Sequence, residues 1–407
     1  LFIHLSIFTF REVFKMYINT ITFACLFTSF AFTQNPEILL EKGEKELVSG
    51  NLLESEKTFQ EALQIDPSFA PAIQALSRLS LHKGDLKKAN EYSIKAVQAD
   101  EDFREWSLKI ARISEQIQNG NRNVQQGLYE EAISSYEKIL KVHPYFPDAE
   151  FYMGLTRFRQ KDIEKAARHF SNALKLYSNH VKARKGLDNV TKQFLNIGNR
   201  SYKNGDLSKA IKFYNKSLEF DPEFYLAYFQ LGVLEKKQGN SKLAISNLNK
   251  VLELKPEHDK TWFTLGTAYE ADGLIDEAIE HYLRAIEINP TYSKAYGNVG
   301  KLFTEKEEYT KAENLLKTII QIDPDYADGF MRIGLLYIEQ EKFQEAVDNL
   351  NYSIKLDNND YNKFFNLAAA HNKIEEWSEA GISAQKCIDL KKKFGGGWLE
   401  LGVSEMG

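Results

Sequence analysis

The sequence predicts an all-α fold, an array of stacked helical hairpins, and three observations carry that reading. At 407 residues the chain is longer than one compact core usually grows. Only 23 glycines and 9 prolines interrupt it, while Ala, Leu, Glu, Lys and Tyr abound, which is a helix-forming vocabulary. Small, aromatic and proline residues also return at one fixed spacing along most of its length.

The spacing is 34 residues. With Trp262 at position four of a unit, Leu265, Gly266 and Tyr269 take seven, eight and eleven. Ala278, Tyr282, Ala285 and Pro290 then take twenty, twenty-four, twenty-seven and thirty-two. The fourth position steps in frame through Phe194, Tyr228, Trp262, Tyr296, Phe330, Phe364 and Trp398. The earlier chain obeys the same rule. Gly43, Phe59, Ala62 and Pro67 mark the first unit, and Leu76, Gly84, Ala89 and Ala96 the second. Gly120, Ala132, Tyr136 and Pro144 mark the third, and Met153, Gly154, Ala166 and Phe170 the fourth. Ten units and a fragment of an eleventh result.

Each recurring residue has a physical task. Positions four, seven, eight and eleven share one face of a first helix. The small residues at eight and twenty, such as Gly266 and Ala278, let two helices approach closely while larger neighbours fill the gaps. A glycine before the second helix (Gly205, Gly239, Gly273) supplies left-handed turn geometry. Asp66-Pro67, Asp221-Pro222, Asn289-Pro290 and Asp323-Pro324 end second helices, because the residue before proline is pushed out of helical geometry.

Two inserts, 104–112 and 181–190, interrupt the frame. Trp106, Ile110, Ile113, Ile117 and Val124 keep helical spacing across the first; Val181, Leu187, Phe194, Ile197 and Ser201 keep it across the second. This predicts two first helices lengthened by about 14 Å each at 1.5 Å per residue, jutting beyond the edge of the array. It also divides the chain into 36–103, 104–180 and 181–407.

The pattern resembles the tetratricopeptide repeat over residues 36 to 407. The resemblance implies a right-handed α-solenoid superhelix in which each hairpin buries its apolar face against the next, with a concave surface lined by positions two, five, nine and twelve. Some members hold acidic chaperone tails through a lysine at five and an asparagine at nine. Here five is apolar, so that clamp is absent.

Chemistry-bearing motifs are missing. The eight histidines have no metal-binding spacing, and there is no nucleophile elbow, P-loop or dinucleotide fingerprint, so no cofactor or metal is called for. Gly395-Gly396-Gly397 reads as a turn, and Cys387 as a small core residue. A net charge of -5 with interleaved signs argues against nucleic acid as a partner.

The remaining candidate is the groove. Phe151, Leu195, Phe229, Phe263, Met331 and Phe365 form an apolar row at position five, broken by Gly297. Asn199, Asn298 and Asn366 are candidates for bonding a partner backbone, and Lys192, Lys260, Lys294, Lys301 and Arg332 for meeting carboxylates. Trp106, on a lengthened helix, is a candidate second docking point.

The apolar, uncharged run that follows Lys15 and Met16 reads as a secretory signal peptide ending at Thr33, with an uncleaved anchor as the alternative. Residues 1–15 read as upstream sequence. Together these imply an exported, non-catalytic scaffold, periplasmic or outer-membrane associated, that holds protein segments and takes part in a membrane-associated complex. The alternative is the repeat region of a larger enzyme, a glycosyltransferase or metalloprotease, whose catalytic domain lies further along.

Overall fold

The computed structural model describes residues 35–407; the expected signal peptide lies outside them. Among the described residues there are no strands, and twenty-one α-helices follow in tandem. Hairpin one pairs α1 (Pro36–Val48) with α2 (Leu52–Ile65), and hairpin two pairs α3 (Ala70–His82) with α4 (Leu86–Ala99). Hairpin three is α5 (Arg104–Gln125) with α6 (Tyr129–Val142), and hairpin four is α7 (Pro147–Arg159) with α8 (Ile163–Leu176). The fifth is α9 (Val181–Lys203) with α10 (Leu207–Phe220). The next three are α11 (Tyr225–Lys237) with α12 (Ser241–Leu254), α13 (Asp259–Ala271) with α14 (Ile275–Ile288), and α15 (Ser293–Glu305) with α16 (Tyr309–Ile322). The last two are α17 (Ala327–Glu339) with α18 (Phe343–Leu356) and α19 (Tyr361–Lys373) with α20 (Trp377–Leu390), followed by α21 (Gly395–Met406). The molecule is an α-solenoid of the expected ten hairpins and one further helix.

The close approach predicted at position eight is visible in the eight hairpins that carry glycine there; Ser77 and Ala368 take the position in hairpins two and ten. A Cβ added at Gly266 would lie 2.5 Å from the Tyr282 ring, and one at Gly232 2.7 Å from Leu248. Only hydrogen fits at these glycines, so the ring or leucine at twenty-four packs directly on the first helix's backbone. The hairpin turn is a Schellman closure: Gly273 N–H donates to the Glu270 carbonyl and Leu274 N–H to that of Tyr269, with Gly273 at φ +77.

The chain forms two compact units, one ending at Asn196 with Lys216–Pro222 added, the other Ile197–Asn215 with Glu223–Gly407. The division falls inside α9 and α10, while the expected boundary at 103/104 lies within the first unit.

The long helices α5 and α9, 22 and 23 residues against 13 for α13, are lengthened as expected. Their extra turns do not jut into solvent. Ile110, Ile113, Ile117 and Gly120 make one continuous buried stripe on α5, with Ile110 fully covered in a cluster that includes Leu81, Ala89 and Tyr136. On α9, Ala183, Leu187 and Val190 are buried. Each long helix begins where the frame places a first helix, so its early turns cover the preceding hairpin, as Trp106 does at Ser77 and Gly186 at Phe170, and its later turns pack on its own second helix, Gly120 on Tyr136 and Gly198 on Tyr214.

The first unit is also tied across its repeats. Asp148, on the first turn of α7, is 4% exposed, and His180, just before α9, is 5% exposed; His180 Nε2 lies 2.6 Å from Asp148 Oδ1. Ala183 N–H donates to His180 Nδ1 at 3.0 Å, so the imidazole caps α9 and its Nε2–H faces the carboxylate. The turn at Gly84 closes over the pair. At φ +74, a Cβ there would stand 2.9 Å from Asp148 Oδ1 and 3.1 Å from His180 Nε2.

Candidate functional site

The position-five row differs between the units. In the first, Phe151 and Leu195 are each 8% exposed and belong to the packed interior. In the second, Phe229, Phe263, Met331 and Phe365 are half-buried. Repeat geometry explains the partial cover. The residue 29 positions on is the one that leads into the next first helix, and it lies against the row: Phe229 on His258 (5.1 Å between ring centroids), Phe263 on Tyr292 (4.9 Å), Phe365 on Phe394 (5.2 Å). Phe151 meets His180 in the same way, at 5.5 Å. The row is therefore part covered by the end of its own repeat and part open surface. Aromatic pairs spaced by 29 were a signal in the sequence that position-by-position reading did not use.

The break at Gly297 is filled. A Cβ there would be 2.9 Å from both Tyr326 Oη and Arg332 Nε. Arg332 Nε donates to Asp328 Oδ2 at 2.8 Å, and Tyr326 Oη donates to the same oxygen at 3.1 Å. Burial, then the Asp328 charge, pushes the Tyr326 phenol up, which keeps it a neutral donor.

Most of the expected polar contacts already have partners within the fold. Asn199 Oδ1 accepts from the Tyr214 hydroxyl at 2.9 Å, just as Asn121 accepts from Tyr136. Asn366 Nδ2 donates to the Asn362 carbonyl at 2.8 Å. Asn298 lies beside the Tyr282 hydroxyl. Lys301 Nζ donates to Glu270 at 2.9 Å, and Glu270 also accepts from Tyr282 Oη at 2.6 Å. Burial opposes ionisation of Glu270, but these two donors hold its carboxyl below the ordinary range. Lys260 and Lys294 are exposed, as is Lys192 in the first unit.

Lys236 was missed from the sequence. Its Nζ donates to Thr267 Oγ1 at 2.6 Å, and burial holds the ammonium below the usual lysine range despite the Glu270 charge. With Glu270 and Lys301 it makes a polar ladder across three successive repeats, beside the half-open row. Trp106 is half-buried: its indole N–H donates to Ser77 Oγ at 2.8 Å and its ring edge meets His143.

Together these features make a face suited to an extended or helical guest, with apolar footholds at 34-residue intervals and a salt-bridged strip alongside. Helical hairpins repeated in this way support a protein-interaction scaffold. Family models described as "Tetratricopeptide repeat" and "TPR repeat" match residues 117–184, 198–239, 225–258, 259–292, 293–326 and 327–360. The chain belongs to the tetratricopeptide repeat family, and its last four matched repeats begin in the frame read from Trp262.

Among curated proteins it is similar to "DnaJ homolog subfamily C member 7" of Homo sapiens and of Mus musculus, 29% identical over 199 residues in each case. That match covers 45% of this chain and 38% of the relatives' length, so the chain spans well under half of them. Among solved structures it is similar to MamA, at 27% identity, covering 41% of this chain and 92% of that one with a TM-score of 0.37. It is also similar to yeast Tom70, at 14% identity, covering 92% and 88% with a TM-score of 0.43.

Proposed function

We propose that this chain is an exported scaffold that holds segments of partner proteins along the second unit. A protein-interaction scaffold is what its repeats support; the groove, the export and the partner's chemistry are our reading. The observation that carries it is the half-open row Phe229, Phe263, Met331 and Phe365, on one face of successive first helices. A guest with apolar side chains gains by covering this row, at about 25 cal/mol per Å² of apolar surface removed from water. The Lys236–Glu270–Lys301 ladder orients the guest's backbone and charges, although each of its members must keep or exchange an existing partner.

A photoreactive phenylalanine analogue at Phe229, compared with one at the exposed position Leu243 on α12, tests the groove. The proposal expects partner cross-links at Phe229 that disappear when Phe263 is replaced by alanine in a variant of unchanged helicity. Cross-links of equal yield at both positions would remove the groove from the account. Export rests on the uncharged run after Met16. Sequencing the N-terminus of the cellular protein supports it if the chain starts near Gln34 or is held in the membrane by an intact leader, and contradicts it if the leader is intact on a cytosolic protein.

A further inference from the structure

A cavity of about 250 Å³ in the first unit lies between the end of α3, the first turn of α5 and the link from α6 to α7. Leu81 and Phe146 are buried at its base. Trp106 stands on one side with its edge toward His143, ring centroids 5.9 Å apart. On the other side His82 stacks on the exposed ring of Tyr145, at 5.4 Å and 12° between planes. Arg78 lines the same space. At ~30 Å³ for a water in the liquid, the volume takes about eight water-sized groups, close to the bulk of one apolar residue.

Arg78 lines this space, and among the described residues its buried Nε has no hydrogen-bond partner, which leaves a donor for an anion. Arg78 is bonded to Glu44, and Lys109, one turn on from Trp106, is bonded to Glu105. Even so, both histidines feel positive charge. Burial first, and then the Arg78 guanidinium, hold the His82 imidazole below its ordinary range; burial and then Lys109 do the same to His143. Both rings are therefore neutral near neutral pH, and among the described residues neither imidazole has a hydrogen-bond partner. Each keeps an N–H to donate. Rings around a dry base, with donors and a guanidinium at the edge, suit an apolar side chain that carries a carboxylate one carbon away.

We infer that this pocket is a second binding site, which takes the C-terminal residue of a partner polypeptide: its apolar side chain between Trp106 and His82, its carboxylate at Arg78 and the imidazole N–H groups. The site is independent of the groove in the second unit. Trp106 reaches this pocket from the first turn of α5, held there by its indole N–H bond to Ser77 on α3.

N-acetyl-leucine and its methylamide, which lacks the charge, are the probes. The full chain is labelled with 5-fluorotryptophan, and the Trp106 signal is assigned as the one lost in Trp106→Phe. Fluorine NMR at neutral pH should show the Trp106 signal moving with N-acetyl-leucine, with a dissociation constant on the order of millimolar for so small a ligand. The methylamide should bind about tenfold more weakly, as expected for loss of a charge-assisted bond. Arg78→Gln should weaken the acid and leave the methylamide unchanged. No movement at Trp106, or equal affinity for the two compounds, overturns the inference. The acid and methylamide comparison on the unaltered chain decides this even if Arg78→Gln fails to fold.

Discussion

The two units use the same 34-residue unit to opposite ends. In the first, the position-five residues Phe151 and Leu195 are swallowed, and a turn from the second hairpin closes over a buried Asp148–His180 pair. In the second, the equivalent Phe229, Phe263 and Phe365 keep part of their rings in solvent, and their polar neighbours bond along the surface. Regular repeats thus leave a face half open; in the first unit, which carries the long first helices, Phe151 packs on Tyr152, Phe170 and His180 and is covered. Family membership alone does not locate a binding face. Here the position-five row stays half open in the stretch without interruptions.

The sharpest way to break this contrast is Gly84→Ala beside Gly239→Ala. Both glycines have positive φ, +74 and +82, but only Gly84 faces a crowded pair, whereas nothing lies within 4 Å of a Cβ at Gly239. We expect a loss of about 3 kcal/mol at Gly84 and about 1 kcal/mol at Gly239 by urea unfolding. Equal losses would mean that the Gly84 turn is not part of a closure. Next is His180→Ala, which strips a buried carboxylate of its partner and α9 of its cap. The expected cost is about 2 to 3 kcal/mol, with faster amide exchange confined to the first unit; exchange that speeds up equally in the second unit speaks against a local tie. The smallest effect has the other sign. Lys161 and Glu341 adopt φ +64 and +59 where other hairpins have glycine. Lys161→Gly and Glu341→Gly should each stabilise by up to about 1 kcal/mol, alike in both units, because this part of the turn is common to them. Thermal melts that move downward for either variant would show that the side chain compensates for its backbone.

Much of the fold was legible because its determinants are local. Gly266 with Tyr282, the Schellman glycines and the Asp-Pro stops each act within a few residues or one hairpin, and a fixed period repeats the message. What could not be read was how each first helix meets its neighbours. The stripe through Ile110, Ile113 and Ile117 announced a long helix, yet spacing alone does not say whether a stripe ends in solvent or under a neighbour. The Gly84–Asp148–His180 joint unites three distant stretches and leaves no periodic trace. At the groove, the row itself was read but its cover was not: His258, Tyr292 and Phe394 close the same repeats, 29 residues on, where no position had been assigned to the groove. Asn199, Lys301 and Arg332 were read as free contacts; Glu270 reaches Lys301 from another repeat, whereas Asp328 stands four residues before Arg332 on one helix and Tyr214 fifteen after Asn199, local spacings that the reading did not use.

Hydroxyl-radical footprinting of the isolated chain tests the central contrast most directly, since phenylalanine and methionine react in proportion to their exposure. Our account predicts readily oxidised Phe229, Phe263, Met331 and Phe365, with Phe151 protected until the protein is unfolded. Oxidation of Phe151 at the rate of Phe229 in the folded chain would contradict it.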